Sequence, residues 1–287
     1  AMSRFSGCWV ALKLVTDVVE SSSTADIDLD RIKPVLPPVP EVLGGVSIRL
    51  FDMPQVQEPR LYGAKIPLAV AYARANGLNR IVLDAPEARL GIITVGKAHT
   101  DTLQALTELG LDDAACKAAG LRILKIGMTW PLDPEIVKKF ADGLGAILVV
   151  EEKRPLIETQ VKTALYEAGL AAPPKVIGKP ALPSVGELAP NIIAHAIAKV
   201  LGRDDLAKSI PLPPQIKFGA DGRPILGPMR LPSFCSGCPH NTSTKVPAGS
   251  RALAGIGCHT MALLMPEREV RLLGAMGSEG AHWIGLA

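Results

Sequence analysis

Between residues 89 and 180 the chain alternates short aliphatic runs with amphipathic stretches, and few folds satisfy that pattern. The runs are RLGIITVG (89–96), LRILKIG (121–127) and AILVVEE (146–152). Each is too short for a helix and apolar on both faces, as strands buried on two sides read. Between them, 100–109 carries Leu103, Leu106 and Leu109 at helical spacing. A second helix starts near Pro134, with Val137, Phe140, Ala141 and Leu144 at i, i+3, i+4 and i+7, and a third is expected over 157–168, ended by Gly169. Pro suits a first helical turn because its missing N–H would be unpaired there. Strand–helix alternation at this spacing predicts an α/β fold, a Rossmann-like parallel sheet with right-handed crossovers over about 88–180. With 48% hydrophobic but only 4% aromatic residues, its core must be aliphatic.

The flanks are organised differently. A helix is expected over 5–20, with Trp9, Leu12, Val15, Val18 and Val19 on one face, and another over 65–76, ended by Gly77. Between them RIKPVLPPVPEV reads as an extended, semi-rigid linker. A further helix over 186–201 presents Ile193, Ala196, Ile197 and Val200, and PLPPQIKFGADGRPILGPMRLPS (211–233) forms a second Pro/Gly linker. The expected division is 1–33, linker 34–60, an α/β domain at 61–205, linker 206–229 and a last unit at 230–287. Both ends read as those of a piece of a longer protein.

Several function classes drop out. The net charge of +3 is spread without a basic block, which argues against nucleic acid. No apolar run approaches the roughly 20 residues that span a bilayer. The apolar start is interrupted by Lys13 and resembles no signal peptide, so the cytoplasm is expected. Five cysteines, an odd number, fit a reducing compartment. The first turn of the α/β unit, GKAHTD, has no G-x-G-x-x-G, so no dinucleotide fingerprint is present. Lys97 and His99 stand at a strand end, where α/β folds place ligands, but read more simply as exposed loop residues. Glu151–Glu152–Lys153–Arg154 reads as a solvated rim or an interdomain contact, and Trp130 and Trp283 as packing residues.

The chemistry-bearing residues gather in FCSGCPHNTSTKVPAGSRALAGIGCH (234–259). Cys235 and Cys238 share a tight Cys-x-x-Cys turn, the usual half-site for zinc or an iron–sulfur cluster. Cys258 and His259 follow. Three readings stay open. One is a zinc site of three Cys and one His, although adjacent Cys258 and His259 cannot easily share one ion. Another is a [4Fe–4S] cluster on Cys235, Cys238 and Cys258, with a fourth thiolate from Cys8, Cys116 or elsewhere. The last is cysteines that only pack. GIGCH (255–259) adds glycines before a helix-like run, where backbone N–H groups can meet a diphosphate. GAMGSEG (274–280) is a second such turn, after a possible strand at 271–273.

Taken together, FCSGCPHNTSTKVPAGSRALAGIGCH and LLGAMGSEGAHWIG resemble the indolepyruvate ferredoxin oxidoreductase family, of the long fused bacterial type. FSGCWVALKLVTDVVESS resembles the end of its pyrimidine-binding domain, and the α/β unit its transketolase C-terminal-like domain. Residues 230–287 then open a thiamine-diphosphate-binding domain. The resemblance implies oxidative decarboxylation of an arylpyruvate with thiamine diphosphate and Mg²⁺, with ferredoxin as electron acceptor and coenzyme A as acyl acceptor. It implies Cys235, Cys238 and Cys258 as ligands of a [4Fe–4S] cluster, and Gly257, Cys258 and His259 against the cofactor, with Gly255 and Ile256 in the same turn. Beside it, His240 reads either as a donor to the cofactor's diphosphate or a substrate carboxylate or as a histidine in a polar turn, and Glu279 and His282, in the last turn, read as the site's edge. It also implies partners: the remaining domains of a parent chain and a second copy. The family's Gly-Asp-Gly signature for the metal and diphosphate does not occur here, so the Mg²⁺ ligands are expected beyond Ala287 and the catalytic glutamate before Ala1. Two other classes stay in play, a non-catalytic zinc or electron-transfer module and a coenzyme A- or acyl-binding α/β domain.

Overall fold

The alternation folds as the sequence predicts, into a mostly parallel sheet covered on both faces, in a computed structural model that describes residues 1–28, 30–39, 44–213, 217–218, 224–225 and 232–286. The chain divides into two compact units, 1–213 and 214–287.

The first unit begins with short helices α1 (Met2–Ser6) and α2 (Thr16–Val19). The helix expected over 5–20 is therefore broken. Gly7 ends α1 in the left-handed conformation, and Trp9 and Leu12 face solvent instead of a packed stripe. A helix needs a partner for its apolar face, and within this unit only Phe5 of the expected segment finds an aromatic one, its ring 5.8 Å from that of Tyr72. The Pro-rich linker ends earlier than expected, at α3 (Pro54–Arg60), which runs through a π-turn at Leu61–Lys65 into α4 (Ile66–Ala75). Pro67 explains the widened turn. Its ring would collide with the carbonyl four residues back, at Gly63, and a π-turn removes the clash without ending the helix.

Then come β1 (Arg80–Asp84), β2 (Leu90–Val95), α5 (Lys97–Glu108), α6 (Asp113–Ala118), β3 (Leu121–Ile126), α7 (Pro134–Ala141), β4 (Ala146–Val150), α8 (Leu156–Glu167), β5 (Lys175–Ile177) and α9 (Pro190–Leu201). The strand order is β1-β3-β2-β4-β5, with β1 antiparallel at the edge and the other four parallel. Alternate residues of each strand point to opposite faces. Ile92, Ile123, Leu148 and Val150 meet α5 and α9 on one side. Ile93, Leu124, Ile147 and Val149 meet α7 and α8 on the other. The α5 face differs from expectation. Leu106 and Leu109 are buried, but Leu103 is half-exposed and Ala98, Thr102 and Ala105 turn inward, because the helix starts three residues earlier. Trp130, read as packing, is largely exposed, and Trp283 is also on the surface.

The second unit holds two-residue strands β6 (Lys217–Phe218) and β7 (Pro224–Ile225), then α10 (His240–Ser243), β8 (Ala252–Ala254), β9 (Val270–Leu273) and α11 (Ala281–Leu286). Most of the expected linker at 211–233 lies outside the described residues. The strands β8 and β9 pair in parallel, with Ala254 opposite Leu273, and a 3₁₀ helix (Cys258–Leu264) lies in their crossover. Among the described residues, no helix is long and apolar enough to cross a membrane.

Candidate functional site

Parallel strands offer ligands their carboxyl ends, above all where neighbouring crossovers leave in opposite directions. In the first unit that point lies between β2 and β4. There the chain occupies the position itself. Glu151, directly after β4 and 3% exposed, accepts from the backbone N–H groups of Leu156 (3.0 Å), Ile157 (2.8 Å) and Glu158 (2.9 Å). Those three amides belong to α8's first turn, where a phosphate would otherwise bind, and of the three only Leu156 has a second acceptor, Arg154 O at 2.9 Å, among the described residues. Glu152 accepts from Leu188 N–H at 3.1 Å. Lys97 is held at 2.9 Å from Asp101 and 3.0 Å from Glu187. Burial opposes the Lys97 charge, but those hydrogen bonds outweigh it and hold the ammonium above the ordinary lysine range. Glu158 is buried too, and Lys162 (2.6 Å) and the Lys179 N–H (3.0 Å) bind its carboxylate. The crevice is thus filled by the protein's own charges. This corrects the rim reading for Glu151 and Glu152, while Lys153 and Arg154 are exposed as that reading has them, and it corrects the reading of Lys97 and His99 as exposed loop residues. It also removes the structural support for a coenzyme A or acyl site there. Sequence reasoning missed Glu151. Its one signal is Pro155, which marks the helix start close enough for a strand-end carboxylate to cap it.

The second unit is built the other way. Directly after Ala254 and Leu273, two glycine turns leave the paired strands side by side, and Gly274 N–H donates to Ala254 O at 2.8 Å. In GIGCH, His259 folds back so that its Nε2 accepts from Gly255 N–H at 3.1 Å. That bond places the ring proton on Nδ1. The Thr260 hydroxyl donates to Gly255 O and accepts from Gly257 N–H at 3.2 Å. Gly257 has φ 147° and ψ −175°, a conformation that only glycine adopts readily. The backbone N–H groups of Ile256, Cys258 and His259 find no acceptor among the described residues. Side chains from the second turn press against the first. A Cβ on Gly255 would lie 2.3 Å from Glu279 Cγ, and one on Gly274 would lie 3.2 Å from His282 Nε2. His282 Nε2 is buried without a hydrogen-bond partner. Backbone N–H groups of Glu279 and Gly277, with His259 adding, hold the Glu279 carboxyl below the ordinary glutamate value.

The Cys-x-x-Cys loop approaches the same turn. Cys238 N–H donates to Cys235 O at 3.1 Å, and Asn241 Nδ2 donates to that carbonyl at 3.1 Å. Cys238 Sγ lies 3.3 Å from His240 Nδ1. The His240 ring stacks between Phe234 (5.5 Å) and His259 (6.0 Å), a column that ties the cysteine loop to GIGCH. Arg268, nine-tenths buried, donates through Nη1 to Asn241 O at 3.1 Å and fixes α10 to the approach to β9. Cys235 and Cys258 are exposed and Cys238 is half-buried. Among the described residues, no three His, Cys, Asp or Glu side chains stand together as a metal site. Of the sequence-predicted residues, the fold therefore brings together Gly255, Ile256, Gly257, Cys258, His259 and His240, with Cys238 beside His240. It does not assemble Cys235, Cys238 and Cys258 around one ion. Cys116 lies in the core of the first unit, where burial first, then Asp113 and Asp112, pushes its thiol up to about 11.

Comparison with known proteins adds the family. The sequence model of the indolepyruvate ferredoxin oxidoreductase middle domain matches residues 79–184. Indolepyruvate oxidoreductase subunit IorA of Thermococcus kodakarensis is 34% identical over 197 residues, covering 67% of this chain and 28% of the relative. The subunit IorA of Pyrococcus abyssi is 31% identical over 247 residues, 83% of this chain and 36% of the relative. The chain thus spans about a third of the length of the curated relatives it matches. Two solved structures share looser similarity. A 2-oxoglutarate:ferredoxin oxidoreductase from Magnetococcus marinus is 16% identical at a TM-score of 0.37, covering 66% of this chain and 30% of its own. A split-gene transketolase is 18% identical at a TM-score of 0.34, covering 45% of this chain and 43% of its own. Likeness at that level carries no functional argument. The domain match and the IorA relatives do: the chain belongs to the indolepyruvate ferredoxin oxidoreductase family, of which it holds the middle domain and the segment that follows.

Proposed function

We propose that this chain is the part of a thiamine-diphosphate-dependent 2-oxoacid oxidoreductase that carries the diphosphate-facing glycine turns. The observation behind this reading is the pair of turns at the carboxyl ends of β8 and β9. They combine backbone N–H groups at Ile256, Cys258 and His259 that find no acceptor among the described residues, an Nδ1–H on His259, and a buried Nε2 on His282 that finds no partner among them. That donor set suits an anion. Ile256, Gly257, Cys258 and His259 would hold the diphosphate, Gly255 would let the chain pass close to it, and His240 would brace His259 through the ring stack. Thiamine diphosphate, when bound, supplies the electron sink that decarboxylation of a 2-oxoacid requires. This chain's contribution is to orient the cofactor's tail and to exclude water with the Phe234–His240–His259 column.

The finer assignments belong to the same proposal: an arylpyruvate of the indolepyruvate kind as substrate, ferredoxin and coenzyme A as acceptors, and Mg²⁺ held by residues beyond Ala287. So do the fused arrangement with the remaining domains of a parent chain, assembly with a second copy, and a cytoplasmic setting. For the [4Fe–4S] cluster, the described residues do not complete a site, and no electron-transfer step is derived from it. Cys235, Cys238 and Cys258 stand as three proposed thiolates, and iron and labile-sulfide analysis of the purified chain tests them. Zinc without iron would favour the alternative, a zinc module, which the contact of Cys238 with His240 supports.

Calorimetric titration with thiamine diphosphate and Mg²⁺, on a longer chain that also carries the expected Mg²⁺ ligands, tests the main reading. Binding by the wild type, weakened about tenfold or more in Gly257→Val through loss of the turn's backbone conformation, is the expected result. No binding by the wild type, or equal binding by the variant, contradicts it.

A further inference from the structure

A second concavity lies in the first unit, on the face of the sheet near its antiparallel edge. The groove has a volume of about 590 Å³ and runs between α5, α6 and strands β1 and β3. That size falls in the range of small-molecule sites. Its aliphatic wall comes from Val82, Leu103, Leu106, Leu111 and Ile123, and its polar side chains are His99, Thr107, Asp112, Asp113 and Cys116, the Thr107 hydroxyl donating to Leu103 O at 3.1 Å. Val82 and Leu103 are each more than a third exposed, although an edge strand and the middle of a helix could both have been polar there.

The polar group that gives the groove a chemistry is His99, nine-tenths buried and part of its lining. Its tautomer follows from its neighbours. The Thr94 hydroxyl donates to Leu124 O at 3.2 Å, so at 2.9 Å from His99 Nδ1 the same oxygen can only accept. The His99 proton is therefore on Nδ1, and Nε2 carries a lone pair. With Nδ1 committed to the strand, the opposite ring edge is the one left to the groove, and Nε2 has no partner among the described residues. Burial first, then Lys125 and Arg80, holds this histidine below its ordinary value, so the ring stays neutral at pH 7. At the other end stand Asp112 and Asp113, with Asp112 already capping α6 through Ala115 N–H at 2.8 Å. The Cys116 thiol lies at the groove, directed to Leu111 O at 3.6 Å, and offers no free donor.

We propose that this groove is a binding site for an uncharged, largely apolar molecule bearing one N–H or O–H donor, received by Nε2 of His99. The charges select against the alternatives. An ammonium group at His99 would face Lys125 and Arg80. A carboxylate would meet the Nε2 lone pair at one end and two aspartates at the other. A neutral donor avoids both and gives His99 Nε2 the hydrogen bond it lacks among the described residues. The site is independent of the glycine turns, so it stands or falls separately from the cofactor reading.

The test compares 2-naphthol with 2-methoxynaphthalene, which keeps the ring system but lacks the donor, on the whole chain by calorimetry. The donor should tighten binding about tenfold, the value of one good hydrogen bond, and His99→Phe should abolish that preference. A ¹H–¹⁵N long-range spectrum of the wild type gives a reading that does not depend on the variant folding. Nε2 of His99 should appear unprotonated and should shift on addition of 2-naphthol but not of its methyl ether. Equal affinity for the two ligands, a preference that survives in a folded His99→Phe, no binding by either, or an unmoved Nε2 would each overturn the proposal.

Discussion

The molecule carries two sets of parallel-strand ends, and they are finished in opposite ways. At β2 and β4 a buried carboxylate, Glu151, takes three amides of α8's first turn, and Lys97, Asp101 and Glu187 close the rest with ion pairs. At β8 and β9 the chain places glycines, and three amides and a buried imidazole nitrogen find no partner among the described residues. Both ends obey the same geometry of α/β folds, so geometry does not separate a structural end from a binding end. What separates them is whether the protein satisfies its own donors. The His282 nitrogen is buried, and a buried polar group left open costs free energy unless something else fills it. Ile256 and Cys258 are exposed, so their amides stay open to a ligand that displaces water, and open donors identify the binding end better than position in the sheet does.

The cysteines give the largest expected contrast between the closed and open regions. Cys116 is 1% exposed and its thiol is pushed up to about 11. Its thiolate fraction at neutral pH should lie roughly a hundredfold below that of an ordinary cysteine. Ellman's reagent should label Cys235 and Cys258 at once in native protein and reach Cys116 only after unfolding. Rapid labelling of Cys116 would mean that the first unit opens readily.

Next in size, Glu151→Ala should lower stability to urea by about 2–4 kcal/mol, because it strands the buried amides of Ile157 and Glu158 together. The same change should leave affinity for inorganic pyrophosphate untouched, since the glycine turns lie elsewhere. Gly255→Ala should do the reverse. Its Cβ would collide with Glu279, so pyrophosphate affinity should fall about tenfold, roughly 1.4 kcal/mol, while the urea transition of the first unit stays in place. Parallel effects of the two variants on stability and binding would erase the distinction.

The smallest effect concerns pH. Burial would raise the Glu158 carboxyl, but the Lys162 hydrogen bond and the Lys179 N–H outweigh it and lower it. A lowered folded value adds stability that is present above the ordinary glutamate value of 4.5 and is lost as pH falls through the folded one. The gap in urea midpoint between wild type and Glu158→Gln should therefore be widest above about pH 5 and close on acidification. A gap that widens in acid would reverse the sign and contradict the assignment.

The parts of the fold legible in sequence were those where one rule acts alone. Strands β2, β3 and β4 read correctly because burial on both faces makes them largely aliphatic, with Arg122 and Lys125 at the two half-buried positions of β3. The edge strand Arg80–Asp84 was not expected, since only Leu83 of its five residues is buried and its pattern is indistinct. Strand β5 is three residues long and gives no periodicity to read. The helix expected over 5–20 had the right spacing, but spacing supplies no packing partner, and Gly7 stops it. At the site, the glycines and histidines of 255–259 were visible because rare residues cluster there. The roles of Glu151 and of the Phe234–His240–His259 stack were not, because each depends on contacts that pairing and turn geometry create.

The contrast between the two ends is tested most directly by adding inorganic pyrophosphate to the ¹⁵N-labelled chain and following its backbone amides. The amides of 256–259 and 274–280 should shift together, and those of Leu156, Ile157 and Glu158 should stay where they are. Shifts at the α8 amides, or a silent pair of glycine turns at millimolar pyrophosphate, would contradict the account.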